Sequence, residues 1–163
     1  AAVAELVGNG TAELGFLQLP ETDHRLVARE FLAEPYLVLV HRRHRLARAS
    51  AVSLKQLAGE SFIQYRGKVR DTVQQACRQA GFEPKIACAT SELATLHALA
   101  QIGLGIAILP RMAIPGGLKN VRESPIARPG LDRKLGIVQR RSTPISNAAQ
   151  AFLAALDKHT ADG

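Results

Sequence analysis

Residues 90–110, TSELATLHALAQIGLGIAILP, carry the signals of a complete helix, turn and strand. Apolar residues recur at helical spacing from Leu93 to Ile102, which predicts a helix with one buried face. Gly103 and Gly105 permit the backbone to turn tightly, and the short apolar run after them predicts a buried strand that ends at Pro110. The stretch therefore predicts one unit of an α/β protein.

Two hydroxyl side chains, Thr90 and Ser91, stand immediately before this helix, and Glu92 follows them. A hydroxyl at this position can accept a hydrogen bond from the free amides of the first helical turn. The same amides and the helix dipole also favour a bound anion. The sequence leaves both interpretations open, a simple helix cap or part of an anion-binding site.

Strands and helices alternate on the N-terminal side of this unit. Residues 61–65 predict a strand, residues 69–80 a helix that stops at Gly81, and residues 83–88 a further strand. This alternation is typical of a parallel α/β sheet, which binds ligands beyond the carboxyl ends of its strands. Residues 64–67 and 90–92 are therefore predicted to share one rim.

The rest of the chain predicts further strands and helices around this sheet. The run YLVLV in residues 36–41 is continuously apolar, which indicates a central strand covered on both faces. The other predicted strands are residues 13–19, 24–31, 118–122 and 135–139. Two short helices are predicted, residues 1–7 with Gly8 as a left-handed stop, and a helix from Ser53 with Gln56 in a capping box. A last helix is capped by Ser146, and its predicted buried face consists of Ala149, Phe152, Leu153 and Leu156.

Length and composition predict one globular domain or two small lobes. The chain has 163 residues, of which 47% are hydrophobic, enough for a real core. No apolar run approaches the roughly 20 residues that span a bilayer, and no export signal opens the sequence.

The net charge of +7 is scattered, and aromatic residues make up only 4%, which disfavours a nucleic-acid stacking platform. The densest basic cluster, residues 41–45, is interpreted as a solvated turn.

The sequence offers little for catalysis or metal binding. Its five histidines lie in different contexts, without HExxH or GxSxG motifs. Cys77 and Cys88 have no metal-ligand spacing, which indicates two reduced, mostly buried thiols. His97 falls beside the apolar face of its helix and is interpreted as a packed side chain. We therefore predict no enzyme activity, no metal and no cofactor.

The stretch of residues 90–110 resembles the segment of the effector-binding domain of LysR-type bacterial transcriptional regulators in which a helix runs into a Gly-x-Gly turn and a buried strand. Five further segments are similar to that family in the family's order: NGTAELGFLQLP (9–20), EPYLVLVHRRHRLA (34–47), VSLKQLAGESFIQY (52–65), VQQACRQAGFEPKIACAT (73–90) and RKLGIVQRR (133–141). One departure is HRLA at residues 44–47, where the family commonly has His-Pro-Leu-Ala. The resemblance covers essentially the whole chain.

The resemblance implies an α/β, two-lobe periplasmic-binding-protein-like (type 2) fold with discontinuous lobes. Residues 1–40 and 135–163 would form a partial first lobe, residues 41–134 the second, and residues 36–41 and 134–140 the two crossover strands. The DNA-binding winged helix-turn-helix would lie outside this chain. The alternatives are an exported two-lobe solute-binding protein or, less favoured, an enzyme on the same fold.

The resemblance also implies a small effector, an organic acid, bound between lobes in a cytoplasmic homodimer or tetramer. DNA would be bound only through the absent domain, and no membrane would be involved. The implied effector-binding residues are Gln18, Gln64, Tyr65, Arg66, Gly67, Thr90, Ser91 and Gly105. Arg66 is the favoured charge because its guanidinium fork matches a carboxylate. Glu92 beside the same pocket opposes a strongly anionic ligand, and this conflict stays open.

Overall fold

A computed structural model describes residues 2–161 of the chain. The chain divides into two compact units, which we call unit 1 (Ala1–Ala33 with Lys134–Gly163) and unit 2 (Glu34–Arg133). The boundaries therefore follow residues 33 and 133, whereas the resemblance places lobe boundaries after residues 40 and 134. Two strands, β2 (Leu26–His41) and β7 (Asp132–Arg140), run through these boundaries.

Unit 1 contains a short helix, a strand pair and the last helix. The helices are α1 (Ala2–Gly8) and α4 (Asn147–Ala161), and β1 (Leu14–Gln18) pairs antiparallel with β7. A small apolar core joins α1 and β1 to the strands β2 and β7. Its buried residues are Ala4, Val7, Leu26 and Val138.

Most sequence predictions for unit 1 agree with the structure, with two corrections. Ser146 caps α4 as expected, since its hydroxyl oxygen accepts the Ala149 amide at 3.2 Å. The left-handed stop after α1 is Gly10, with φ of 83°, because the helix continues through Gly8. Phe152 is not buried on its helix face. It is 50% exposed and contacts Phe16 edge-on, with ring centroids 6.4 Å apart.

Strand β2 is one continuous strand, not the two that the sequence predicts. Pro35 suggested a break because proline lacks a backbone donor. Hydrogen bonding resumes at the next residue, where the Tyr36 amide donates to the Leu131 carbonyl at 2.8 Å. An extended strand therefore passes through the proline.

In unit 2, the second half of β2 is the central strand, as predicted. It pairs antiparallel with β5 (Ala107–Pro110) on one side and β6 (Val121–Pro125) on the other. Val38, Leu39 and Val40 are fully buried. Strand β6 begins later than predicted because Asn120, with φ of 59°, keeps the preceding residues in a turn.

The predicted alternation of parallel strands and helices is confirmed in unit 2. The elements are β3 (Ser61–Tyr65), α2 (Lys68–Gln79), β4 (Lys85–Thr90) and α3 (Leu93–Gln101), and β3 pairs parallel with β4. The Ile63 amide donates to the Ile106 carbonyl at 2.7 Å, and the Ile106 amide donates to the Ser61 carbonyl at 2.8 Å. Strand β3 therefore lies between β4 and the chain entering β5.

Three short 3-10 helices complete unit 2: Arg45–Arg48, Leu54–Leu57 and Arg111–Ala113. The predicted capping box is present, since the Gln56 side chain accepts the Ser53 amide at 2.8 Å. Helix α3 ends at Gln101, before Gly103, which has φ of 77°. Among residues 2–161, none of the helices has the length and apolar composition needed to cross a bilayer.

Candidate functional site

The carboxyl ends of β3 and β4 lie side by side at one edge of unit 2. Tyr65 is paired with Thr90, and the Arg66 amide donates to the Thr90 carbonyl at 2.9 Å. This edge, which we call the rim, consists of residues 64–67 and 90–92. The structure thus brings together six of the predicted effector-binding residues: Gln64, Tyr65, Arg66, Gly67, Thr90 and Ser91.

Two helices begin at the rim, because α2 follows β3 and α3 follows β4. Gly67 precedes α2 with φ of 86°, a left-handed conformation that favours glycine. In the described part of the chain, no side chain caps α3, whose N-cap residue is Glu92. The amides of the first turn of α3 are therefore available to an anion, and the helix dipole acts in the same direction.

Thr90 caps a turn just before the helix instead of the helix itself. Its hydroxyl oxygen accepts the Glu92 amide at 3.0 Å. A hydroxyl is one donor as well as an acceptor, so the Thr90 proton stays available to a ligand oxygen. The two interpretations of this threonine, structural and ligand-binding, are chemically compatible.

The charges at the rim are of both signs. Arg66 is exposed, and no ion pair involves its guanidinium within the described residues. The nearby Arg70 differs, because it is held by Asp71 at 2.8 Å. Glu92 is exposed at the same edge. Among residues 64–67 and 90–92 the local field is thus made by the Arg66 guanidinium, the helix amides and the opposing Glu92 carboxylate, and the exposed Lys68 adjoins them at the start of α2.

The cleft beside Gln64 and Tyr65 within unit 2 is small. Its volume is about 10 Å³, and Val69, Arg70 and Ile86 are among the side chains that line it. Such a volume is close to the minimum for a single water molecule. The rim is therefore an open polar surface and not an enclosed cavity of unit 2.

The two remaining predicted site residues lie elsewhere. Gln18 ends β1 in unit 1, where it is paired with Leu135. Gly105 precedes β5, and a Cβ on it would come within 2.5 Å of the Ser61 carbonyl oxygen. Ser61 is the first residue of β3 and Tyr65, at the rim, is the last. Gly105 lies beside Ser61, so it is separated from the rim by the length of β3, roughly 13 Å. Its geometry supports a packing role and gives no support to a role at the rim.

The histidines of unit 2 have structural partners. His97 is buried, and its Nε2 lies 3.0 Å from the Ala113 carbonyl oxygen, as expected of a packed side chain. In the basic turn, His44 and Arg45 both contact Glu60, at 3.0 and 2.6 Å. Burial raises the pKa of Glu60, but these two hydrogen-bonded partners outweigh it and lower the pKa overall.

The cysteines and acidic residues do not form a reactive site in the described residues. Cys77 is buried, and desolvation raises its pKa to about 11, so the thiol stays protonated at neutral pH. Cys88 is partly buried, and both thiols are free. Across residues 2–161, no group of three or more His, Cys, Asp or Glu side chains is arranged to hold a metal ion.

The sequence analysis missed one charged cluster. Glu34 is buried in β2, where its carboxylate contacts Arg133 at 2.5 Å and accepts the Met112 amide at 2.6 Å. A glutamate directly before the apolar run 36–40 was the available signal, because a buried charge requires a partner.

The family model of the LysR substrate binding domain matches residues 1–161. This chain belongs to the LysR substrate-binding domain family. A relative is the uncharacterized HTH-type transcriptional regulator YwbI of Bacillus subtilis (strain 168), which is 30% identical over 154 residues, covering 93% of this domain and 51% of YwbI. The domain thus spans about half the length of the curated relatives it matches.

Solved structures share the fold of this LysR substrate-binding domain. The BenM effector binding domain with its effector benzoate has a TM-score of 0.85 at 24% identity, over 98% of this chain and 74% of that one. The effector binding domain of QuiR in complex with shikimate has a TM-score of 0.82 at 21% identity, over 97% and 76% of the two chains. The predicted α/β, type 2 periplasmic-binding-protein-like fold is confirmed.

Proposed function

We propose that this LysR substrate-binding domain is the effector-sensing and oligomerising portion of a bacterial DNA-binding transcriptional regulator. Its relatives are named as HTH-type regulators and are about twice as long. On this proposal the protein is cytoplasmic, has no catalytic activity, forms a homodimer or tetramer, and contacts DNA through a helix-turn-helix domain outside this chain. The coding sequence before Ala1 tests it: a helix-turn-helix segment is expected there, and an export signal would contradict the proposal.

The proposed effector is a small organic acid that binds at the rim. The observation that carries this proposal is the convergence of a free Arg66 guanidinium and two helix N-termini at the joined ends of β3 and β4. Both features favour a carboxylate. The ligands named with the BenM and QuiR domains, benzoate and shikimate, are carboxylates too.

Each rim residue has a proposed role. Arg66 binds the carboxylate through its planar fork, and Thr90 and Ser91 donate hydroxyl protons to it. Gln64 and Tyr65 offer polar side chains to the rest of the ligand, and Gly67 supplies the turn that starts α2. Gln18 is retained from the resemblance alone, as is the assignment of units 1 and 2 to the two lobes of the family.

The rim is tested by a thermal-shift screen with a panel of small carboxylates, followed by titration of any that stabilise the protein. Arg66→Gln should weaken binding roughly ten- to a hundredfold, since a hydrogen bond to a charged group contributes about 1.5–3 kcal/mol. Arg42→Gln is the matched control. It removes one exposed positive charge just after the end of β2.

The control lies far from the rim. Arg42 follows His41, whose ring would lie 3.4 Å from a Cβ added to Gly103, shortly before β5 and at the edge opposite Tyr65 and Thr90. Equal losses in the two variants would indicate a nonspecific charge effect. If a carboxylate stabilises the Arg66→Gln variant as much as it stabilises the wild type, the rim is not the effector site.

A further inference from the structure

Unit 2 contains a second, larger cavity that the proposed rim site does not use. Its volume is about 320 Å³, which falls in the range of small-molecule sites. It lies between the second 3-10 helix, the last turn of α2 and the loop that leads into β7. The lining residues from these three segments are Ser53, Leu54 and Lys55; Ala76, Gln79 and Ala80; and residues 127–131.

The cavity is distinct from the rim. Helix α2 has 12 residues, so its two ends lie roughly 18 Å apart. The rim adjoins the first residue of the helix, Lys68, whereas the cavity is lined by its last residue, Gln79. A ligand in one position therefore does not contact the other.

The walls of the cavity are apolar, and its charges have one sign. Leu54, Ala76 and Leu131 contribute apolar surface, whereas Lys55 and Arg128 are the two ionisable side chains in the lining, both exposed toward solvent. Within the described residues, neither cation forms an ion pair. An apolar pocket with two unpaired cations complements an anion that carries an apolar body.

The helix end does not oppose such an anion strongly. Carbonyl groups at a helix C-terminus carry partial negative charge when they lack donors. Here the Ala76 carbonyl accepts the Ala80 amide at 3.0 Å, and the Cys77 carbonyl accepts the Phe82 amide at 3.1 Å. The last turn is closed by its own backbone, which leaves Lys55 and Arg128 to set the charge of the cavity.

We propose that this cavity is a second ligand site, which binds a small organic carboxylate with an apolar ring or branched body. The carboxylate contacts Lys55 and Arg128, and the body lies against Leu54, Ala76 and Leu131. The site stands independently of the proposed function of the rim, because the two share no residue.

Residues 127–131, which we call the cavity loop, are held at both ends by backbone hydrogen bonds. The Ala127 amide donates to the Val52 carbonyl at 2.9 Å, and the Leu131 carbonyl accepts the Tyr36 amide at 2.8 Å. Leu131 is followed by Asp132, the first residue of β7, and Arg133, the partner of Glu34. A ligand that orders this loop thus acts on the peptide that continues directly into β7.

The test is an NMR titration of the isotope-labelled protein with phenylacetate, at constant ionic strength. We expect saturable shifts of the Ala76, Ala127 and Gly130 amides. The neutral analogue 2-phenylethanol should bind about tenfold or more weakly, because it lacks the charge that Lys55 and Arg128 recognise.

Two variants separate the cavity from the rim. Arg128→Gln should weaken the cavity shifts about tenfold, and Ala127→Leu, which fills the cavity, should abolish them. Arg66→Gln at the rim should leave them unchanged. Four results would each overturn the proposed second site. They are shifts confined to the rim, equal binding of phenylacetate and 2-phenylethanol, shifts that persist in Ala127→Leu, and the absence of saturation below roughly 10 mM. A Kd of roughly 10 mM corresponds to a binding free energy of about −3 kcal/mol.

Discussion

The buried pair of Glu34 and Arg133 should be essential for the stability of unit 2. The Glu34 side chain is only 5% exposed and that of Arg133 17%. One carboxylate oxygen contacts both the Nε and Nη2 atoms of Arg133, at 2.7 and 2.5 Å, while the other accepts the Met112 amide at 2.6 Å. Glu34→Met removes all three contacts and leaves the guanidinium without a partner.

We expect Glu34→Met to lower the free energy of unfolding by about 3–4 kcal/mol. Removing one partner of a buried ion pair costs about 3–5 kcal/mol, because the remaining charge is desolvated and uncompensated. The lower part of the range applies since the Arg133 side chain, at 17% exposure, keeps some solvent contact. Total domain stabilities are about 5–15 kcal/mol, so the loss is large.

The double variant Glu34→Met, Arg133→Met distinguishes a lost pair from general damage. Removing both charges leaves no uncompensated ion, so its loss should be smaller than the sum of the single losses by roughly 2 kcal/mol. Arg78→Met is the matched control. It breaks the exposed Arg78–Glu83 pair of unit 2, 2.6 Å long, and should cost less than about 1 kcal/mol.

Urea unfolding can be followed by tyrosine fluorescence, which reports on unit 2 specifically. The chain has two tyrosines and no tryptophan, and both tyrosines, Tyr36 and Tyr65, belong to unit 2. Stabilities follow from linear extrapolation. A loss below about 1 kcal/mol for Glu34→Met, or strictly additive losses in the double variant, would refute the reasoning from buried charge.

Two further predictions concern unit 2. Gly105→Ala should destabilise the protein by about 1–3 kcal/mol through overpacking, because its Cβ would meet the Ser61 carbonyl oxygen at 2.5 Å. Gly116→Ala, with open space around it, should change stability by less than about 0.5 kcal/mol in the same urea titration. The folded-state pKa of Glu60 lies below its ordinary value of 4.5, so its stabilisation is present above that pH and is lost as the pH falls through the folded pKa. The stability difference between wild type and Glu60→Gln should therefore shrink below pH 4.5, and a constant difference from neutral to acidic pH would contradict the assignment.

Local signals in the sequence predicted the α/β elements of unit 2 well. Residues 90–110 form the expected helix, turn and strand because the apolar period, the glycines and the terminal proline all act within a few residues. Strand β2 was predicted as two strands because Pro35 is also a local signal. Its continuity depends on Leu131, about a hundred residues away along the chain, and no local pattern contains that hydrogen bond.

The candidate site was predicted in part for a topological reason. Residues that follow parallel strands gather at one edge of a sheet, which placed Arg66 and Thr90 correctly at a shared rim. The same rule places a residue that precedes a parallel segment, such as Gly105, at the opposite edge. The resemblance assigns Gly105 to the site without this rule. The cavity near Arg128 could not be predicted, because it depends on tertiary packing and has no sequence signature.

The two proposed sites at the ends of α2 differ in how directly they can affect the rest of the chain. A ligand changes a conformational equilibrium only if it binds the two states with different affinity. On the proposed function, a ligand at the rim would be held largely through Arg66 and the start of α3, which directly follow the paired strands β3 and β4. The cavity loop instead continues from Leu131 into β7, where Arg133 is fixed by Glu34 of β2. Because β2 and β7 are the strands that run between the two units, ligand binding in the cavity is better placed to alter them, and the rim is better suited to recognition.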